Sequence, residues 1–395
     1  NMDAVLRWVD QDSGAARTWN TSGADRARAT WTVRATDLSG QTYRATVAAK
    51  DNRATGPSAG GCTVLVDTTP PDPPTVTSTD YPDDGDPHGS VGKTGRFTIQ
   101  SASDDTAGYH WSLRDAVGDN TVPVSTPGGG VTIALDPPTD GPLTLSAWAY
   151  DEHGNTSAKT TYTFTVAPAS SPIAHWKLDE TEGTTAADWA YPGSPDDVDL
   201  PLTVDGAEWT GGTAADAANN HLNYLTFDGR DTASTAVPVI DTDVSYTVSA
   251  WVRIHQTDID YTIASQDGDV NSAFMLKYDG ESQKFLFVTC NQDSNQSGLL
   301  CPSTPAGSLT AQAGVWYHVT GVYDFGRSQV RLYVNGQLQG TRSVSDVFDA
   351  DGSFILGRDL YTGNAGTYFA GDIDEVKVWD RVVSTGEIER LGQHA

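Results

Sequence analysis

From residue 173 onward the chain is a succession of short runs in which apolar and polar side chains alternate, at 174–178, 222–227, 245–254, 274–278, 284–288, 316–323, 329–334, 354–356 and 367–379. A period of two puts alternate side chains on opposite faces of an extended strand, and strands this short bury their apolar faces only by pairing into sheets that pack together. Asn335-Gly336, between Leu332-Tyr-Val and Gln-Leu-Gln, is a two-residue hairpin turn. Ser384-Thr-Gly-Glu387 ahead of Ile388 and Leu391 predicts a capping box on one short terminal helix. The remainder is expected to be all-β, and ~220 residues suffice for a two-sheet jelly roll.

Two proline-rich breaks divide what precedes. Asp67-Thr-Thr-Pro70-Pro71-Asp72-Pro73-Pro74 lacks ladder donors at its four prolines and favours extended backbone, and Ala167-Pro168-Ala-Ser-Ser-Pro172 has the same character. Three domains are therefore expected: 1–70, 71–167 and 172–395. The first two share a pattern. Tyr43-Arg-Ala-Thr-Val-Ala-Ala-Lys-Asp51 aligns with Leu143-Thr-Leu-Ser-Ala-Trp-Ala-Tyr-Asp151, and each is followed by a second alternating run, Cys62 to Val66 and Tyr162 to Val166. A terminal hairpin is thus used twice. With the Thr-Thr-Pro-Pro boundary, both segments resemble fibronectin type III and immunoglobulin-like modules of extracellular proteins, which implies two small antiparallel sandwiches, the first short at its beginning.

The last segment carries a more specific resemblance. Trp176-Lys-Leu-Asp-Glu180, Gly183-Thr-Thr-Ala-Ala-Asp188, Leu225-Thr-Phe-Asp-Gly229, Tyr246-Thr-Val-Ser-Ala-Trp251, Trp316-Tyr-His-Val, Leu332-Tyr-Val-Asn-Gly336, Phe369-Ala-Gly-Asp-Ile-Asp-Glu-Val-Lys-Val-Trp379 and Glu387-Ile388 follow one another in order. This resembles a LamG-like jelly roll of the concanavalin A-like lectin/glucanase superfamily, with an insert from Tyr191 to Leu200. In glycosidases of that superfamily the Asp matching Asp374 binds a structural calcium together with main-chain oxygens, which implies candidate ligands around Asp179, Glu180, Asp228 and Gly229. The alternation itself places Asp374 on one face with Val376 and Val378, where a carboxylate needs a metal, an ion pair or hydrogen bonds. An Asp held by backbone N–H groups is the alternative.

Charge excludes some partners. The 24 basic and 52 acidic side chains leave −28, and residues 168–395 carry −20 of it. Such a field repels nucleic acid and anionic membranes. No apolar run is long enough to span a bilayer, and the absence of a basic-then-apolar leader suggests a mature product or a fragment. Of three cysteines, Cys290 and Cys301 lie in one Asn/Ser/Gly-rich stretch. Bridged, they would close a loop worth ~3 kcal/mol and require an oxidising compartment. Cys62 is left over, either buried and free or paired with a segment not present.

Several motifs imitate chemistry without its context. Gly56-Pro-Ser58-Ala-Gly60 fits a nucleophile elbow but sits in a hairpin turn with Pro57 before the serine. Gly92-Lys93-Thr94 has the end of a phosphate loop, yet Pro87 stands where its first glycine belongs. Asp267-Gly-Asp269-Val-Asn271 opens like an EF-hand loop, but Ser272 and Tyr278 replace the glycine and the last glutamate. The Glu-x-Asp-x-x-Glu triplet of related glycosidases is missing, so a glycan-cleaving enzyme ranks third. Trp176, Trp251, Trp316, Tyr333 and Trp379 fall on strand positions and are expected mostly in the core.

Loop residues are the candidate ligand contacts: Trp189 and Tyr191 in the insert, Asp258, Asp260 and Tyr261 in one turn, and Tyr361 beside Asn364. A stacking ring with carboxylate or amide groups suits sugar hydroxyls, and loops at one end of a sandwich can converge on that arrangement. The expected protein is a secreted or cell-surface, non-catalytic adhesion module. Its jelly roll would bind a glycan or glycosylated surface, with the small sandwiches as spacers among neighbouring domains of a larger polypeptide, as in large secreted bacterial proteins. The alternative is a structural or assembly module that binds protein.

Overall fold

The computed structural model describes residues 3–11, 13, 15–21, 42–50, 59–65, 67–113, 120–190 and 198–393. Tyr191, Trp31 and the Gly56-Pro-Ser58 part of the elbow-like motif lie outside these residues. The chain divides into two compact units, Asn1–Val76 with Ile99–Val131 and Leu145–Thr161, and Thr77–Thr98 with Thr132–Thr144 and Tyr162–Ala395.

Among the described residues the fold is all-β apart from two short helices. At the beginning, strands Ala16–Thr21, Asp3–Asp10, Thr42–Lys50 and Ala59–Leu65 form one four-stranded sheet in that order. The next segment has a three-stranded sheet, Val131–Leu135, Gly95–Gln100 and Thr75–Thr77, and a five-stranded sheet containing the neighbours Gly141–Asp151 and Thr160–Val166. The repeated hairpin of the sequence is therefore present in both segments, as Thr42–Lys50 with Ala59–Leu65 and as Gly141–Asp151 with Thr160–Val166. Tyr81 shows how the second segment closes: its ring packs against Phe97 and Phe164, and its hydroxyl donates to the carbonyls of Lys93 (2.8 Å) and Ser90 (3.1 Å). A buried ring with a satisfied hydroxyl gains its area without stranding a polar group.

The jelly roll is two antiparallel sheets face to face. One runs Glu208–Gly211, Asn223–Asp228, Ala370–Trp379, Tyr246–Ile254, Trp316–Asp324, Gln329–Val334 and Gln337–Ser343, with Ala174–Trp176 also paired to Ala370–Trp379. The other runs Thr185–Ala186, Leu202–Asp205, Thr232–Ser234, Phe354–Leu356, Tyr261–Asp267, Ser272–Asp279 and Lys284–Thr289. Between them lies one core: Val248, Ala250, Val252 and Ile254 from one strand, Tyr317 and Val319 from its neighbour, and Phe274, Leu276 and Phe287 from the facing sheet. The period-two reading is thus realised as inward and outward rows.

Local signals also hold. Asn335 and Gly336 take φ of 49° and 75°, the left-handed pair that a two-residue hairpin demands. The terminal helix is Thr385–Leu391, with Ser384 Oγ accepting from Glu387 N. The expected reciprocal bond is replaced: the Glu387 carboxylate pairs with the buried Arg381 guanidinium at 2.8 Å, since a buried charge needs a counter-ion more than a helix end needs a second cap. A helix not expected from the sequence, Ala214–Ala217, is one turn closed by a Thr213/Asp216 capping box. Its signal, Thr-x-x-Asp, was present in the sequence.

Candidate functional site

The site begins with row parity. In Ser272–Asp279 the inward row is Phe274, Leu276 and Tyr278, which leaves Met275, Lys277 and Asp279 outward, and in Lys284–Thr289 the outward pair is Leu286 and Val288. Over this outer face folds a small hairpin, Asp359–Tyr361 with Asn364–Gly366, turning at Thr362 and Gly363 (φ 51° and 78°). Asn271 Oδ1 accepts from Thr362 N at 2.9 Å and Val270 O from Gly363 N at 2.8 Å, so the hairpin tip is pinned to the turn before the strand. The Cys290–Cys301 disulfide closes the other side, as expected. The result is a cleft of about 640 Å³ lined by Asp260, Lys277, Asp279, Tyr361 and Asn364 above Met275, Leu286 and Val288.

Three of the expected ligand residues, Asp260, Tyr361 and Asn364, therefore meet in one concavity. It lies on the outer face of a sheet with loops folded over it rather than at the end of the sandwich. Tyr361 is 48% exposed and presents an uncommitted ring. Buried Asp359 holds the hairpin base, accepting from Lys277 Nζ at 2.8 Å and Thr262 Oγ1 at 3.1 Å. Asp260 accepts from Gly280 N at 2.9 Å, and Asp279 caps the turn at Glu281 and Ser282. Each carboxylate of the cleft thus uses one oxygen to hold its walls.

The other expected contacts lie elsewhere. Tyr261 is 1% exposed: it opens a strand and packs in the core against Phe369 and Tyr278, so it is a core ring behind the cleft. Asp258 is exposed in the preceding turn and does not line the cleft. Trp189 is 55% exposed, with Lys177 Nζ 4.2 Å above its ring, and also stands apart from the cleft. The EF-hand-like run is a polar turn whose 269–271 N–H groups donate to Asp293.

Asp374 departs from its expected face. Ile373, Val376 and Val378 all enter the core, so the intervening Asp374 and Glu375 break the alternation. Glu375 has φ 50°, and the pairing with Tyr246–Ile254 shifts register there. This is a β-bulge, which inserts one residue and turns both acids outward. Asp374 Oδ2 lies 2.7 Å from His221 Nδ1, both groups 2% or less exposed, and Oδ1 accepts from Glu375 N at 2.9 Å. Burial pushes Asp374 up to about 9, with Glu375 and Asp179 adding to it. Burial likewise pushes His221 down to about 4. Glu375, although burial opposes it, is held down to about 2 by His175 at 2.7 Å and Lys377 at 2.6 Å.

Both oxygens of Asp374 are engaged, one by His221 Nδ1 and one by Glu375 N, while Asp179 lies near enough to raise it. Register pairs Leu225 with Ile373 and Asp228 with Ala370, so Asp228 and Gly229 lie about four residues, ~13 Å, along the strand from Asp374. Glu180 Oε1 accepts from Ala187 N, while its buried Oε2 has no partner among the described residues. Among the described residues, one group of three metal-capable side chains brings its ligand atoms within 4.8 Å of one another: Asp67, Asp151 and His153. There Asp151 is already committed to the N–H groups of His153 and Asn155 and to the Asn155 amide.

Trp251 and Trp316 also differ from expectation. Trp176 is in the main core, and Tyr333 and Trp379 are buried under the terminal helix, but Trp251 and Trp316 are half-buried on the outer face of the eight-stranded sheet. Their parity carried the signal: Trp251 alternates with Val252 and Trp316 with Tyr317, which are the inward residues. His221, Asp216 and Lys277 were missed because only tertiary structure brings them to a pocket wall.

Residues 227–389 match the sequence family described as the concanavalin A-like lectin/glucanases superfamily, and this part of the chain has that fold. No curated protein matches the chain. Among solved structures it is similar to domain 4 of AbnA, a GH43 extracellular arabinanase from Geobacillus stearothermophilus, in complex with arabinotriose (19% identity, 56% of this chain and 98% of that one, TM-score 0.41). It is also similar to the heptameric SAP-like pentraxin of Limulus polyphemus (17%, 43% and 81%, 0.33). A third is the Ruminococcus gnavus IT-sialidase CBM40 bound to α2,3-sialyllactose (18%, 38% and 83%, 0.32).

Proposed function

We propose that the jelly roll is a non-catalytic glycan-recognition module that reads its ligand in the cleft under Tyr361. The observation that carries this is the convergence of Asp260, Lys277, Tyr361 and Asn364, distant in sequence, on one concavity with a half-exposed ring at its mouth. A sugar ring stacks its apolar face on Tyr361 while Asn364 and Lys277 reach hydroxyls. A non-catalytic reading is supported by the cleft carboxylates, each of which uses one oxygen to hold backbone N–H groups or Lys277. An extracellular setting is supported by the disulfide, which persists in oxidising compartments. The preceding sheets act in this reading as immunoglobulin-like spacers.

A glycan array with the whole chain tests the proposal. Signal on at least one glycan class is expected, weakened tenfold or more (~1.4 kcal/mol) by Tyr361→Ala. Signal that survives this change intact removes the cleft from recognition, and an empty array at high protein concentration abandons the glycan reading.

A structural calcium ion held by Asp179 and Glu180 belongs to the same proposal, supported by the unpartnered Glu180 Oε2. An ion bound only by the folded state stabilises by mass action, so EDTA is expected to lower the melting midpoint and added calcium to restore it. A midpoint indifferent to both removes the ion.

A further inference from the structure

The outer face of the eight-stranded sheet carries a second concavity, of about 780 Å³, that shares no residue with the cleft. Its walls are the loop around the one-turn helix, with Asp216, Asn219 and His221, then Trp251, Trp316 and the exposed Val315. Two tryptophans opening on a solvent-facing pocket, where the sheet could have been covered by an apolar strand or helix, call for a ligand.

The wall chemistry selects the ligand class. Asp216 Oδ1 accepts from Arg253 Nη1 at 2.8 Å and Trp316 Nε1 at 3.1 Å, and its Oδ2 from Thr213 N at 2.9 Å and Thr213 Oγ1 at 2.8 Å. The carboxylate has nothing left for a cation. Arg253 is spent as well, donating to Asp372, Asp216 and Tyr224, and its guanidinium lies 4.8 Å from the Trp316 ring centroid. A cationic ligand meets that guanidinium, and an anionic one meets an acidic domain with no unpaired cation in the wall. The remaining groups suit a neutral polar ligand. His221 stacks on Trp316 at 4.1 Å, so with Arg253 near the same ring Trp316 offers the pocket mainly its rim. Trp251, braced by His221 at 5.2 Å and His318 at 5.3 Å, is the stacking ring. Asn219 commits its amide nitrogen to Ala215 O, leaving its side-chain oxygen as an acceptor, and His221, bonded to Asp374 through Nδ1, keeps its other ring nitrogen.

We infer that this pocket is a second saccharide site, specific for a neutral sugar and independent of the cleft. The test uses the whole chain and four probes, the tetrasaccharides of glucose, xylose, galactose and mannose, followed by saturation-transfer NMR and titration calorimetry. At least one probe is expected to bind wild type and Tyr361→Ala alike, and to bind Trp251→Ala and the occluding variant Val315→Arg at least tenfold more weakly. Val315 is 40% exposed and outside the buried network, so Val315→Arg decides the matter if Trp251→Ala fails to fold. Loss of all binding in Tyr361→Ala, or affinity within twofold of wild type in Val315→Arg, overturns the inference and leaves the cleft standing. Binding abolished by Val315→Arg and indifferent to Tyr361→Ala upholds it and leaves the cleft to the glycan array. No binding of any probe to wild type overturns the second site, while the glycan array separately decides the cleft.

Discussion

The pair Asp374–His221 shows what a single β-bulge does to two residues. Folded, burial favours the neutral forms, protonated Asp374 and neutral His221, which together hold one proton. Unfolded, with ordinary values of 3.8 and 6.5, the two groups also hold one proton between about pH 4 and 6.5, now as carboxylate and imidazolium. The pair's contribution to stability is therefore level in that window. Above pH 6.5 the unfolded chain loses its proton while the folded one keeps it up to about 9, so stability falls by as much as ~1.4 kcal/mol per pH unit. Urea unfolding from pH 5 to 9 should show a decline that starts near 6.5 in wild type and is blunted in Asp374→Asn. A wild-type decline identical to the variant's would mean the pair is not held this way.

Among elements, the hairpin over the cleft and the disulfide loop depend on long-range partners, whereas the strands they rest on do not. Cys290 is fully buried with Met275 and Val288, and Cys301 lines the cleft. Removing the bridge with Cys290→Ser and Cys301→Ser together, or with a reducing agent, is expected to cost ~3 kcal/mol through the freed loop and to weaken ligand binding at the cleft. Urea midpoints with and without reductant measure the first effect, and array signal measures the second. The strands themselves were legible: alternation, the Asn335-Gly336 turn and the Ser384 cap each encode a local geometry. What alternation could not encode was its own interruption, because Asp374 and Glu375 obey the period in sequence and break it only when the bulge forms against Tyr246–Ile254.

On the scale of the molecule, the second compact unit is held partly by one half-buried acid. Asp136 accepts from Thr94 Oγ1 at 2.6 Å, from Ser245 Oγ at 2.9 Å and from Gly326 N at 3.2 Å, so it ties the segment before the second proline-rich break to the jelly roll. Burial raises it to about 6, against hydrogen bonds that lower it. Its folded value exceeds the unfolded one, so its ionisation costs stability as pH rises from about 4 through 6. Asp136→Ala should leave three donors without their acceptor and lower the urea unfolding free energy by about 1–3 kcal/mol, and an unchanged midpoint would show that this contact does not hold the unit.

The sequence by itself determined the all-β class and the repeated hairpin, because each is written in spacing between near neighbours; the jelly roll rested also on a family resemblance, and the 290–301 bridge stayed conditional until the structure closed it. The sequence also placed Asp260, Tyr361 and Asn364 among the candidates. Tertiary structure alone decided which of the candidates share a cleft, that Tyr261 is core, that Asp374 answers to His221, and that Trp251 faces outward into a second pocket. Such choices depend on which strand lies beside which and where a register slips, and those energies come largely from contacts between residues tens of positions apart or more, 82 for Lys277–Asp359 and 153 for His221–Asp374.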